Sequence, residues 1–213
     1  EWSPTPLNLE RSRTPLNLKL KGEFNLYNAA AAVSVGLSHG ISLEICKKAV
    51  EMMESVPGRM ELVVKEPFRV FVDYAHNPDA LEKIYQAIDG RKICVLGSAG
   101  GGRDKWKRPE LGRIASKYCE EIILTNEDPY DENPQSILDQ IEGGFSQIQN
   151  PKSKIQKVLD RKGAIKKALS LAKPDDAVII TGKGSEPWMC VAGGKKIPWS
   201  DKAIVLELLT RLP

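Results

Sequence analysis

The feature that most constrains the fold is a regular alternation of short apolar runs and amphipathic segments that begins after residue 60. Each of five apolar runs is followed by a segment with helical periodicity or by a polar loop. The runs are RVFVDY (69–74), KICVLGS (92–98), EIILTN (121–126), KIQKVLD (154–160) and DAVIITG (176–182). Near-continuous apolar strands that alternate with helices are typical of a parallel sheet covered on both faces. The sequence therefore predicts an α/β fold with a doubly wound, mostly parallel sheet and flanking helices.

The predicted helices carry polar residues on one face and apolar residues on the other. Four of them separate the strands, and the last one ends the α/β region. They are DALEKIYQAI (79–88), PELGRIASKYC (109–119), PQSILDQIEGGF (134–145), RKGAIKKALSLA (161–172) and DKAIVLELLTRL (201–212).

The first 59 residues have a different texture and predict a small α+β segment. The repeat TPLNL at 5–9 and 14–18 indicates two short strands of an edge hairpin. Asn25 is predicted to cap a helix that ends at Gly40, and Ser42 to cap a second helix over 43–55. Pro57 and Gly58 in SVPGRM (55–60) then predict a break. We expect one domain boundary here, between residues 1–59 and 60–213.

Composition excludes several classes of function. The chain has 31 basic and 28 acidic residues among 213, a balance that does not favour nucleic-acid binding. No apolar run approaches the ~20 residues of a membrane helix, and the first residues lack a signal-peptide pattern, so a cytoplasmic location is expected. With four scattered cysteines, no CxxC pair and two histidines, we expect reduced core thiols and no metal site.

Polar or glycine-rich loops follow four of the predicted strands, and these loops predict a ligand site. Because the carboxyl ends of parallel strands meet at one edge of a sheet, the loops 73–78, 99–109, 127–130 and 183–186 should gather there. Each loop also has a simpler interpretation: Asp73 could cap a helix, and His76 could be a polar core residue. The glycines at 100–102 lack GxGxxG spacing, and no GxxxxGK[ST] phosphate loop occurs.

Seven motifs together resemble the Mur ligase family in order and spacing, closest to its UDP-N-acetylmuramyl-tripeptide synthetases. The resemblance covers nearly the whole chain. The motifs are GEFNLYNAAAA (22–32), VPGRME (56–61), VDYAHNPDAL (72–81), GGGRDKWKRPELG (100–112), TNEDPYDENP (125–134), VLDRKGAI (158–165) and TGKGSE (181–186).

The resemblance implies that the chain is part of a larger ATP-dependent amide ligase. Residues 1–59 would be the end of the central ATP-binding domain, and residues 60–213 the Rossmann-like C-terminal domain. Such a ligase adds the third amino acid to the UDP-N-acetylmuramyl dipeptide in peptidoglycan synthesis, through an acyl phosphate, with ATP and Mg²⁺. Since the phosphate loop is absent, the chain is expected to be inactive by itself and to bind neither cofactor strongly. A monomer is expected.

The resemblance also implies roles for ten residues, none of them catalytic or metal-binding. Residues expected to bind the incoming amino acid are Arg103, Glu127, Asp128, Tyr130, Gly182 and Glu186. Residues expected to contact ATP are Asn28, Arg59, Asp73 and His76.

Two departures from the family pattern bear on the acceptor. Tyr130 replaces the arginine of DNPR that holds the distal carboxylate of diaminopimelate, and Ser185 replaces the histidine of GKGHE. The acceptor expected is therefore a diamino acid, with lysine favoured over diaminopimelate. Three alternatives stay open: a folylpolyglutamate or cyanophycin-type ligase, a nicotinamide dehydrogenase that uses the glycines at 100–102, and a non-catalytic Rossmann-like binding domain.

Overall fold

The computed structural model describes residues 16–145 and 153–210. The chain divides into two compact units, Glu1–Glu54 and Ser55–Pro213. The segment that follows Ser55 packs within the second unit, where Val56 forms an isolated bridge with Arg59 and the Gly58 N–H donates to Glu61 Oε2 at 2.8 Å.

In its described part, the first unit contains the helices α1 (Phe24–Ser38) and α2 (Leu43–Met52). The predicted cap of α1 is wrong. Asn25 lies inside the first turn and its side chain donates to the Lys21 carbonyl at 2.7 Å, while Glu23 occupies the cap position without a side-chain hydrogen bond. The predicted cap of α2 is confirmed, because Ser42 Oγ accepts from the Ile45 N–H.

The predicted edge hairpin falls largely outside the described residues. Residues 5–9 and 14–15 are not described, and residues 16–18 of the second TPLNL copy are not in a strand.

The second unit is built on a six-stranded sheet, and all five predicted strands are in it. The strands are β1 (Glu61–Val64), β2 (Arg69–Val72), β3 (Lys92–Leu96), β4 (Glu121–Leu124), β5 (Lys154–Lys157) and β6 (Ala177–Ile180). The strand order is β1-β2-β6-β3-β4-β5, in which β1 is antiparallel to β2 and the other pairs are parallel. This confirms the predicted mostly parallel sheet.

The helices of the second unit lie where the periodicity predicts them, with ends that differ by a few residues. Asn77, Asn133, Asp160 and Ser200 each cap one of them through a side-chain oxygen. They are α3 (Pro78–Ala87), α4 (Lys107–Tyr118), α5 (Pro134–Glu142), α6 (Arg161–Leu171) and α7 (Asp201–Leu209).

Two elements of this unit were not predicted. One is the edge strand β1. The other is a two-stranded hairpin of β7 (Trp188–Val191) and β8 (Lys195–Pro198), which forms a separate small sheet.

The sheet separates two hydrophobic clusters, so each face is covered. One cluster joins residues of α3, α4 and α5 to side chains such as Phe71, Cys94 and Ile122. The other joins α6 and α7 to side chains such as Val70 and Ile123. Adjacent strand residues therefore point to opposite clusters, as the strand period of two requires. This two-sided burial explains the continuous apolar runs in the sequence.

The expectation of four reduced thiols is wrong for two of them. Cys94 in β3 and Cys119 at the end of α4 form a disulfide, with Cα atoms 6.1 Å apart, whereas Cys46 and Cys190 are free and buried. The two bonded residues are 25 positions apart in sequence and meet because α4 packs over β3. Among residues 16–145 and 153–210, no helix has the length and apolar character needed to cross a bilayer.

Candidate functional site

Four loops enclose a cleft at the carboxyl-end edge of the parallel sheet. They follow β2, β3, β4 and β6, and the cleft has a volume of about 530 Å³. This edge is where open α/β sheets bind their ligands. The cleft is lined by Tyr74, His76, Asn77, Pro78, Asp79, Ala99, Arg103, Asp104, Trp106, Lys107, Glu127, Asp128, Tyr130, Gly182 and Glu186.

The structure brings together most of the residues expected from the sequence. Of the four expected to contact ATP, His76 lines the cleft, Arg59 stacks on the cleft residue Tyr74, and Asp73 immediately precedes Tyr74. Asn28 is exposed on α1, in the first unit. All six residues expected to bind the amino acid line the cleft, namely Arg103, Glu127, Asp128, Tyr130, Gly182 and Glu186.

Lys183 binds two of the three acidic residues that were expected to bind the amino acid, Asp128 and Glu186. Its Nζ lies 2.9 and 2.8 Å from the two oxygens of Asp128, and it also contacts Glu186 Oε2. Asp128 further accepts from the Cys190 N–H at 2.7 Å, and Glu186 Oε1 accepts from the Tyr74 hydroxyl at 2.9 Å. Burial by itself lowers the pKa of Lys183, but its hydrogen bonds to Asp128 and Glu186 outweigh that effect and raise it.

Glu127 is the exception among these acids. Its side chain is 4% exposed, and within the described part of the chain Oε2 has no hydrogen-bond partner. Burial raises the pKa of Glu127 to about 7, against the opposing positive charges of Arg161, Lys183 and Lys107. A buried carboxyl that lines a cleft and has one oxygen without a hydrogen-bond partner is suited to bind a cation from outside.

Gly182 leaves room for this carboxyl. Its φ is +104°, and a Cβ at this position would collide with Glu127 Oε2. Any larger residue would therefore both strain the backbone and displace the Glu127 side chain.

Positive charge reaches the cleft from the loop after β3 and from the start of α4. Arg103 is exposed and lies close to the side chain of Tyr130, whose ring packs against Gly101. Lys107 is buried, and its Nζ donates to the His76 carbonyl at 2.9 Å. Burial lowers the pKa of Lys107.

Two other cations of this region, Lys105 in the loop and Arg108 in α4, are already paired. The buried Arg108 guanidinium forms two hydrogen bonds with Glu132, at 2.7 and 2.9 Å, and Lys105 lies 3.1 Å from the same carboxylate. The Arg108 side chain also donates to the Ala99 carbonyl at 3.0 Å, which fixes the start of the glycine-rich loop.

The segment around Asp73 forms one end of the cleft. The two carboxylate oxygens of Asp73 accept from the N–H groups of Met60 and Ala75, both at 2.6 Å. Burial nonetheless raises the pKa of Asp73. The Arg59 guanidinium carbon lies 4.4 Å from the centre of the Tyr74 ring. Arg59 and Asp73 are thus held close together by residues 59–60 and 73–75.

Sequence reasoning missed three residues that organise the cleft: Lys183, Lys107 and Arg161. Lys183 stands between two glycines, three residues beyond the end of β6, a signal that could have identified it. Lys107 and Arg161 begin helices next to the site, but their contacts depend on tertiary packing. Within the two described stretches, no group of three or more His, Cys, Asp or Glu side chains is placed to hold a metal ion.

Comparisons with known sequences agree with the resemblance. A family model described as Mur ligase, glutamate ligase domain matches residues 58–184. The UDP-N-acetylmuramoyl-L-alanyl-D-glutamate–2,6-diaminopimelate ligase of Caldanaerobacter subterraneus subsp. tengcongensis is 41% identical over 208 residues, 95% of this chain and 42% of that protein. The UDP-N-acetylmuramyl-tripeptide synthetase of a Roseiflexus species is 38% identical over 201 residues, 92% of this chain and 39% of that protein. The chain spans about two fifths of the length of these relatives.

Solved structures give the same result. A UDP-N-acetylmuramoyl-L-alanyl-D-glutamate–2,6-diaminopimelate ligase superposes with a TM-score of 0.68 and 29% identity, over 92% of this chain and 40% of its own. A Mycobacterium tuberculosis folylpolyglutamate synthase gives a TM-score of 0.63 at 21% identity, over 78% of this chain and 39% of its own, a likeness of fold alone. Since the family model matches more than half of the residues, the chain belongs to the Mur ligase family.

Proposed function

We propose that this chain is the amino-acid-binding part of an ATP-dependent ligase that adds the third residue to the UDP-N-acetylmuramyl dipeptide, in the cytoplasm. The observation that carries the proposal is the charge arrangement in the cleft. Lys183 pairs with Asp128 and Glu186, whereas Glu127 Oε2 has no hydrogen-bond partner within the described residues, and we propose that Glu127 binds the incoming ammonium group. Arg103 lines the same cleft and is available to a carboxylate.

In an enzyme of this family, the binding of ATP requires groups from more than one part of the polypeptide. We propose that Arg59, Asp73 and His76 contact the nucleotide, and that Asn28 of the first unit also contributes. An arginine that stacks on an aromatic ring retains donors for a phosphate oxygen. Mg²⁺ would be bound with the phosphates, for which this sequence has no GxxxxGK[ST] loop. We therefore propose that ligation takes place only in a longer polypeptide that supplies this loop.

The acceptor we propose is a diamino acid. The relatives from Caldanaerobacter and Aquifex are named diaminopimelate ligases, whereas the name of the Roseiflexus relative does not specify the residue. Tyr130 offers a hydroxyl and no charge where the family pattern has an arginine. A single carboxylate, as in lysine, fits the exposed Arg103 without a second cation.

The test is ligation by the longer enzyme. We expect phosphate release that requires ATP, the UDP-N-acetylmuramyl dipeptide and a diamino acid together. The 213-residue chain alone should release none. In the longer enzyme, Glu127→Gln should raise the KM for the diamino acid and leave the KM for ATP nearly unchanged. Phosphate release that is independent of any amino acid would refute the proposal.

A further inference from the structure

The buried Arg161 joins the two loops that carry Glu127 and Gly182. It is the first residue of α6 and is 2% exposed. One terminal nitrogen, Nη1, donates to the Asn126 carbonyl at 3.1 Å, and the other, Nη2, donates to the Thr181 carbonyl at 2.8 Å. Asn126 directly precedes Glu127, and Thr181 directly precedes Gly182. Because β3 lies between β4 and β6, this side chain reaches across the end of a strand to fix both loops.

Asp201 holds the Arg161 guanidinium in this position. The carboxylate of Asp201, at the start of α7, accepts from Nε at 2.8 Å and from Nη2 at 2.7 Å. Asp201 also accepts from the Trp199 indole N–H at 2.8 Å and is fully buried. A bidentate, buried ion pair of this kind holds the guanidinium in one orientation. The contacts of Arg161 with the Asn126 and Thr181 carbonyls are therefore fixed as well.

Arg161 is also the cation that most favours the ionised form of Glu127. The charged groups around Glu127 are Arg161 from α6, Lys183 after β6, Lys107 from α4, and Asp128 in its own loop. Lys183 is engaged by Asp128 and Glu186, and Lys107 donates to a backbone carbonyl. The Glu127 carboxyl has to fill the space beside Gly182, so its position depends on the spacing of the two loops.

We propose that Arg161 is a positioning residue that sets the spacing of loops 126–128 and 181–183 and keeps the Glu127 carboxylate ready to bind an ammonium group. It acts through Glu127 and does not touch the ligand. Only the nature of the ligand rests on the proposed function. The loop spacing and the charge on Glu127 are properties of the chain itself.

The first experiment needs no ligand. The titration of Glu127 is followed by carboxyl ¹³C NMR in the 213-residue chain, and the signal is assigned with Glu127→Gln. Arg161→Gln/Asp201→Asn removes both charges of the buried pair but keeps groups that can hydrogen-bond, including a partner for Trp199. We expect its Glu127 midpoint to rise by about 1 pH unit from the value near 7. Lys162→Gln removes a neighbouring surface cation that pairs with Glu207, and should leave the midpoint unchanged.

A second variant separates position from charge. Arg161→Lys keeps the charge but cannot contact Asp201, Asn126 and Thr181 together. We expect faster amide hydrogen exchange in 126–128 and 181–183, and about tenfold weaker binding of L-lysine by calorimetry, a loss typical of one charge-assisted hydrogen bond.

An unchanged Glu127 midpoint in a folded double variant, or unchanged exchange in Arg161→Lys, overturns the proposal. If L-lysine fails to bind even the unsubstituted chain, the proposed function is at fault, and the titration and exchange still decide the role of Arg161.

Discussion

Glu127 shows how a single residue can exchange stability for binding capacity. Folding raises its pKa from 4.5 to about 7 because the carboxyl is buried. Between these two pH values the folded state retains a proton that the unfolded state has lost. The stability of the chain therefore falls as pH rises from about 4.5 to 7, and the full cost, about 3 kcal/mol, applies above pH 7. An ammonium ligand that binds the carboxylate would offset that cost.

We expect Glu127→Gln to stabilise the second unit at pH 8 by as much as about 3 kcal/mol and to have little effect at pH 4.5. The amide fills the same space and carries no charge to be buried. Urea unfolding at the two pH values measures the difference. Asp89→Asn, at an exposed carboxylate, is the control and should show no comparable dependence on pH. A Glu127→Gln variant that is equally destabilised at both pH values would contradict this account.

The choice of acceptor is also decided by single residues. With Tyr130 in place of an arginine, we expect the longer enzyme to favour lysine over diaminopimelate by roughly 30-fold or more in kcat/KM, the effect of one missing buried charge partner. Arg108 and Lys105 cannot supply the missing charge because Glu132 already binds both. Lys107 is the remaining candidate, since it lines the cleft.

Steady-state kinetics with each amino acid at equal concentration test this expectation. Lys107→Gln should then reduce turnover of the two acceptors to a similar degree. Faster ligation of diaminopimelate, lost selectively in Lys107→Gln, would show that Lys107 takes the place of the arginine and that the charge argument is wrong.

The sequence predicted which residues meet in the cleft, but not which of their charged groups are already paired with each other and which can bind a ligand. All six expected amino-acid-binding residues come together because each follows a strand of the same sheet. Their pairing could not be predicted, since Lys183 and Asp128 are 55 positions apart and meet only through the strand order. The same limit applies to Arg161, whose partners come from the loops after β4 and β6 and from α7.

At the scale of elements, hydrophobic periodicity identified the central strands and every helix of the second unit. It failed for β1 and for the β7–β8 hairpin. β1 is a four-residue edge strand with mixed burial, and no helix separates it from β2, so it lacks the alternation that marks the other strands. Every residue of β8 is exposed, which leaves no apolar pattern to detect. Local signals also misplaced the cap of α1, where Asn25 bonds backward to Lys21.

The contact between α4 and α5 depends on glycines that let the two helices approach closely. A Cβ on Gly112 would collide with the Ile141 carbonyl, a backbone atom that cannot move aside by a rotamer change. We expect Gly112→Ala to destabilise the second unit by about 1–3 kcal/mol, although alanine favours a helix. Gly143→Ala is the matched control, because the nearest atom to its methyl group would be the Gln140 carbonyl oxygen at 3.4 Å, an ordinary contact distance. Thermal unfolding of the two variants should therefore differ, and equal midpoints would contradict the close-contact argument.

At the scale of the whole molecule, the two units differ in how much core they contain. Both hydrophobic clusters draw their buried residues from Phe68 to Val205, within Ser55–Pro213. In the described part of the first unit, only Ala29 and Cys46 are buried apolar residues. Apolar side chains such as Leu26, Tyr27 and Ile45 are exposed there. The described part of the first unit therefore buries little apolar surface to offset the entropy of ordering its chain.

This difference predicts how the two units behave when they are separated. Residues 55–213 expressed alone should unfold cooperatively, with a midpoint within roughly 3 °C of the full chain, because both hydrophobic clusters lie within this unit. Residues 1–54 alone should show no cooperative transition by circular dichroism, since the two helices described there, α1 and α2, are short and bury few apolar residues, and such helices are marginal in water. Calorimetry of the full chain should then give one transition whose enthalpy matches that of 55–213. A midpoint for 55–213 that falls by more than about 10 °C would show that the first unit supplies a substantial part of the stability, and the assignment of an independent core to the second unit would be wrong.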